Sequence, residues 1–205
     1  METRPCKITM IDLHHTAGHE TSLSAIRSYH MNSLGWGDIG YNAVVFPDGS
    51  VPTITNSDGI VTTGRSLKWS GAHDPGKSPD GYGCTMNQRS FGLSHVGNFM
   101  TETMPDAQFK GSVAFCAKKC KELGIVPSSE TIRMHKQQHA TACPGANFPY
   151  ARYLAEVISL YNEAQTNADP DVYLLVKVRK SKVDMLSKQI YEMGYANKKF
   201  EGEKF

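Results

Sequence analysis

KITMIDLHHTAG, residues 7–18, alternates apolar and polar side chains and then runs into two histidines, a threonine and a glycine. A period of two is that of a β-strand, here ending at His14-His15. Successive strand side chains face opposite ways, so only one of the two histidines can point into a site at the strand's end. Working outward, TAGHETSLSAIRSYHMNSLGW (16–36) reads as a loop and a helix, with Thr21 or Ser22 as N-cap and Gly35 as the stop. GYNAVVFPDGSV (40–51) predicts a strand, an Asp-Gly turn and a second strand, and NSDGIVTTGR (56–65) predicts another hairpin strand.

From Ser70 to Ser90 the chain is rich in Gly, Pro, Ser and Asp, which predicts one long surface loop. SFGLSHVGNF (90–99) suits a central strand, and a helix follows over Asp106 to Leu123 with Gly124 at its C-terminus. ETIRMH (130–135) predicts a short strand, and a closing helix spans about Asn147 to Ala164. Strands interleaved with helices predict an α/β domain, a central mixed β-sheet flanked by helices.

At 205 residues the chain has room for one main domain and a small appendage. The composition shifts after QTNADPD, which divides it into a domain over 1–165 and a C-terminal module over 166–205. That module reads strand–helix–strand and carries eight Lys/Arg against six Asp/Glu. Wall binding, dimerisation and simple capping of the domain are all open to it. A net charge of +2 argues against a large nucleic-acid-binding surface. No run approaches the roughly 18 apolar residues of a membrane span, so membrane insertion is not expected. The N-terminus lacks the basic flank and apolar core of a secretory signal, which predicts synthesis in a cytoplasm. Five cysteines without framework spacing, Cys6, Cys84, Cys116, Cys120 and Cys143, then favour free thiols over a disulfide scaffold.

The chemistry concentrates in HKQQHATACPG, residues 135–145. His135 ends a strand, Cys143 lies eight residues on across a turn, and His14 ends the first strand. Two imidazoles and a thiolate suit zinc, and three protein ligands would leave a fourth position open, as in catalytic sites. Spacing alone leaves a metal site and unrelated histidines both in play.

IDLHHTAG, GWGDIGYNAVVFPDGSV, TTGR, SGAH, SFGLSHVGNFM and HKQQHATACPG occur in an order and spacing that resemble the zinc-dependent N-acetylmuramoyl-L-alanine amidases of the phage-lysozyme and peptidoglycan-recognition superfamily. The resemblance covers about residues 8–150 and is carried by the set of motifs rather than by any one. It implies zinc (Zn2+) held by His14, His135 and Cys143, with Tyr41 and Thr141 as catalytic residues. It also implies that His73 and Asn98 contact substrate. His15 is expected to pack behind the sheet or to support the site. His19, His30 and His139 are expected at the surface.

The reaction implied is cleavage of the amide between N-acetylmuramic acid and L-alanine by zinc-activated water. Bacterial peptidoglycan is then the partner. The role implied is a phage or prophage endolysin, a bacteriolytic enzyme made in the host cytoplasm and acting on the wall after release. A non-hydrolytic peptidoglycan receptor and a cytoplasmic muropeptide-recycling amidase are the alternatives. Cys143 counts against both, since receptors of this superfamily usually lack that ligand and the recycling branch usually has Asp there. The hairpin after Gly49 and the loop after His73 are longer than the resemblance requires, and His95 stands where an apolar residue is common.

Overall fold

The structure is a computed structural model and describes residues 1–166. The C-terminal module expected over 166–205, with its wall-binding and dimerisation readings, therefore lies essentially outside the described residues.

Strand β1 (Met10–His15) lies inside a four-stranded sheet of order β2-β5-β1-β6, with β2 at Ala43–Val45, β5 at Ser90–His95 and β6 at Ile132–Met134. All three pairings are parallel. The antiparallel element is a separate two-stranded ribbon of β3 (Ile54–Thr55) and β4 (Val61–Thr62). The mixture of strand directions thus lies between two sheets and not within the central one. Parallel neighbours need crossovers, which is why helices intervene. Helix α1 (Leu23–Ser28), extended by a π-helical turn over Tyr29–Ser33, lies between β1 and β2, and α3 (Asp106–Leu123) lies between β5 and β6. Helix α4 (Tyr150–Thr166) follows β6 and starts three residues later than the sequence suggests.

The strand period sorts side chains to two faces. Ile11 and Leu13 of β1, Ala43 and Val45 of β2, and Phe91 and Leu93 of β5 pack with Phe109, Val113 and Cys116 of α3 and Tyr153 and Val157 of α4. Val44 points the other way, into a second cluster with Leu23 and Ile26 of α1. Both sheet faces are thus covered, and all six residues of β1 are buried despite the alternating pattern. Asp12 and His14 share the face opposite Ile11 and Leu13.

Local signals account for the helix ends. Ser22, not Thr21, caps α1, its Oγ accepting the Ala25 N–H at 3.1 Å. Gly124 closes α3 in left-handed backbone, φ 67°. Three expectations are corrected. The turn after Phe46 leads into irregular chain, and the next strand begins only at Ile54. The segment from Ser70 to Ser90 is not a continuous loop: it ends in a short helix, α2 (Met86–Arg89), with a Thr85–Gln88 capping box. Cys6 and Cys84 are not free thiols but form a disulfide. Their separation of 78 positions hides the pairing from any local spacing rule, and the fold brings their Cα atoms to 6.8 Å. Cys116 and Cys120 are free and buried on α3, as expected.

Candidate metal centre

The C-terminal ends of β1 and β6 deliver the three expected ligands to one place. His14 is the penultimate residue of β1, and His135 follows Met134 directly, which pairs with Leu13. The chain then turns through residues 136–143, held by the Lys136 N–H donating to the Cys143 carbonyl at 2.9 Å. Cys143 returns with its Sγ 3.7 Å from His14 Nδ1. Donor atoms of His14, His135 and Cys143 all lie within 4.8 Å of one another. A tetrahedral zinc with bonds of about 2.1 Å to nitrogen and 2.3 Å to sulfur needs a nitrogen–sulfur separation of roughly 3.6 Å. The donor set and its spacing therefore fit zinc. Cys143 Sγ also accepts the His15 N–H at 3.4 Å, which orients it. Next along the chain, Gly145 runs so close to the Phe99 backbone that any Cβ there would collide with it.

The imidazole of His14 is almost fully buried, at 1% side-chain exposure, and Asp12 beneath it is at 0%. Asp12 Oδ2 lies 2.8 Å from His14 Nε2. Burial opposes charge on both groups, yet their attraction wins: the Asp12 carboxyl is held well below the usual range and His14 is raised to about 10. Burial lowers His135 to about 4, helped by the neighbouring charge of His14. Asp74 is pushed up to about 6, by burial first and then by the Asp12 carboxylate. Asp74 Oδ1 lies 3.7 Å from His135 Nε2, beyond a direct hydrogen bond.

Tyr41 reaches the same corner, its ring 5.5 Å from that of His14. Its segment is pinned by Asn42, whose Oδ1 accepts the Gly92 N–H at 3.0 Å and whose Nδ2 donates to the Arg65 carbonyl at 2.9 Å. Arg65 in turn spends its buried guanidinium on the carbonyls of Ile39, Asp38 and Ser70. Burial pushes the Tyr41 hydroxyl well above its ordinary pKa, and like any tyrosine it is protonated and able to donate at neutral pH. Thr141 Oγ1 accepts the Cys143 N–H at 3.2 Å, which leaves its own hydroxyl hydrogen to donate elsewhere.

The other histidines divide differently from expectation. None of the His73 side chain is exposed, and its Nδ1 lies 3.1 Å from His14 Nε2 and 3.4 Å from Asp12 Oδ2. It therefore sits behind the metal corner and not in an open groove. Asn98 orders the loop after β5, its Oδ1 accepting the Met100 N–H at 3.1 Å. His15 points away from the corner, its Nδ1 accepting the Phe99 N–H at 3.2 Å. His30 is buried and not at the surface: its Nδ1 accepts the Gly40 N–H at 3.0 Å. His19 and His139 are exposed, as expected. His95 gains an account, as the middle of a buried relay. Its Nδ1 donates to the His14 carbonyl at 2.8 Å, so Nε2 must accept, here from Ser112 Oγ at 2.6 Å. Ser112 Oγ then accepts from Tyr153 at 2.8 Å.

A parallel α/β sheet that gathers two imidazoles and a sulfur at its C-terminal edge has the donor set of a three-ligand metal site. Residues 4–146 match the family described as N-acetylmuramoyl-L-alanine amidase, and the chain belongs to that family. It is 33% identical to peptidoglycan-recognition protein SC2 of Drosophila melanogaster over 143 residues, 66% of this chain and 67% of that one. Two solved structures from Clostridium intestinale share the fold. The amidase LysC aligns with a TM-score of 0.59 at 27% identity, covering 74% of this chain and 85% of that one. The endolysin amidase LysCS aligns with a TM-score of 0.60 at 26% identity, covering 76% and 86%.

Sequence reasoning missed Asp12, Asn42 and Arg65. Asp12 gave no separate signal, because it occupies a polar position of an alternating strand, MIDLHH.

Proposed function

We infer that this chain is a zinc-dependent N-acetylmuramoyl-L-alanine amidase that acts on bacterial peptidoglycan in the manner of an endolysin. One observation carries the reading: the donors of His14, His135 and Cys143 converge within 4.8 Å at the sheet edge. The endolysin named among its structural neighbours supports the lytic role. When bound, zinc at three protein donors supplies a Lewis acid and lowers the pKa of water at its open position.

The chain's own residues do the remainder. Tyr41, a protonated phenol at neutral pH, donates to the amide carbonyl oxygen as negative charge builds there. The Thr141 hydroxyl lies two residues from Cys143 and steers the attacking water or adds a second donor. Asn42 and Arg65 hold the Tyr41 segment at one distance from the corner, so that donation needs no rearrangement. The protein is made in the host cytoplasm and works at the wall. The Cys6–Cys84 bond fits that destination, because cytosolic thiols are kept reduced.

A peptidoglycan receptor without hydrolysis is the second reading, favoured by the name of the Drosophila relative. Digestion of purified walls with and without chelator separates the two. The amidase should release peptides with a free N-terminal L-alanine, stop with chelator, resume with Zn2+, and carry one zinc per chain. Cys143→Ala should slow digestion at least ~100-fold. Wall binding without digestion would establish the receptor, new reducing sugar ends would indicate a glycosidase, and wild-type activity in Cys143→Ala would end the zinc reading.

A further inference from the structure

Asp12 and His14 are two apart on β1, so the strand period places both side chains on one face. In the sheet register Asp12 is level with Gly92 of β5, which has no side chain to occupy that face. The His73 ring fills the space: a Cβ on Gly92 would stand 2.5 Å from its Cδ2. The result is a sealed cluster in which a single carboxylate oxygen, Asp12 Oδ2, faces His14 Nε2 at 2.8 Å and His73 Nδ1 at 3.4 Å.

We propose that Asp12 is the positioning residue of the metal centre: its carboxylate accepts the His14 Nε2–H and so turns the Nδ1 lone pair toward Cys143 and His135. This rests on the zinc reading above. An imidazole ligates through one nitrogen, and a proton fixed on the other decides which. His14 has its two nitrogens committed in opposite directions, Nε2 to Asp12 and Nδ1 to Cys143 Sγ at 3.7 Å. A carboxylate with no exposure is costly unless hydrogen-bonded and countered by positive charge. Its second oxygen, Oδ1, has no hydrogen-bond partner among the described residues. A zinc ion held by His14 Nδ1 would supply a counter-charge to Asp12 through the imidazole between them. Asp12 is a poor ligand in its own right. Donors of Asp12, His14 and His73 also converge within 4.8 Å, but 2.8 Å is a hydrogen-bond length. Two ligands sharing a tetrahedral ion at about 2.1 Å stand roughly 3.4 Å apart. The three side chains are also sealed, at 0–1% exposure, with no open position for water or substrate.

The test is Asp12→Asn in the full chain, with zinc affinity measured by competition against a chromophoric chelator and folding checked by circular dichroism. The variant should fold and bind zinc about 10–100-fold more weakly. In zinc-loaded wild-type protein, long-range proton–nitrogen NMR should show His14 protonated at Nε2, slow to exchange, with Nδ1 on the metal. Three results would overturn the proposal: a folded variant whose zinc affinity equals wild type, with or without a lower melting temperature; a wild-type spectrum with His14 bound through Nε2; or a second zinc equivalent that Asp12→Asn abolishes. If the variant fails to fold, the wild-type spectrum alone decides. Wild-type protein that takes up no zinc would defeat the reading of function itself, whereas one zinc held equally by both proteins would defeat only the role of Asp12.

Discussion

Replacing Cys6 with serine opens the link between the N-terminal arm and the segment before β5. The two cysteines are 78 positions apart, so the bond closes a long loop in the unfolded chain. In the chain-entropy treatment a loop of that length removes roughly 15 cal/mol/K from the unfolded state, about 4.5 kcal/mol at 25 °C. Compactness already present in the unfolded chain brings the expected loss to roughly 2–4 kcal/mol. The native arm should survive, because Arg4 holds it independently by donating to the carbonyls of Asn87 at 3.0 Å, Gln88 at 2.7 Å and Ser90 at 3.2 Å. The loss should therefore appear as a lower urea midpoint with an unchanged native spectrum. The denaturant slope should rise, because the uncrosslinked chain exposes more surface on unfolding. Urea melts of wild type and Cys6→Ser, each with and without reductant, measure both. Reductant should bring wild type to the variant's midpoint and leave the variant unmoved. Equal midpoints for oxidised wild type and variant, with no effect of reductant, would refute the reasoning.

The His95 relay should be costly to break: His95→Leu takes its acceptor from the buried Ser112 hydroxyl, which keeps only Tyr153, and the imidazole donor from the His14 carbonyl, an expected loss of roughly 1–3 kcal/mol in chemical denaturation. Stability should also fall as pH drops from about 6.5 to 4, because burial lowers His95 to about 4, so the unfolded chain takes up a proton that the folded chain refuses. This single group contributes on the order of 3 kcal/mol over that window, and a melt series from pH 7 to 4 should show a slope about one proton shallower in His95→Leu.

Much of this molecule is written locally. Strand period two in residues 7–15, the Asp-Gly turn at 58–59, and the Gly124 stop mark elements that the structure contains nearly where expected. These features depend on neighbours a few residues away, and such interactions are already present in the chain itself. His14, His135 and Cys143 could be named only through the family resemblance that a set of motifs carries, since spacing alone leaves unrelated histidines in play. The rest depends on which strands lie side by side. Asp12 reads as a polar residue in an alternating strand until the register sets it opposite Gly92 and the His73 ring arrives from 61 positions further on. His30 and His95 look like ordinary polar histidines until helices cover both faces of the sheet. Cys6 and Cys84 carry no spacing signal, because what joins them is the return of the segment before β5 past the N-terminal arm. Sequence determined which groups could do chemistry, whereas parallel pairing and burial decided which nitrogen, which oxygen and which sulfur would meet. Contacts of that kind are set by crossover and packing between distant segments, and no short stretch of chain contains that information.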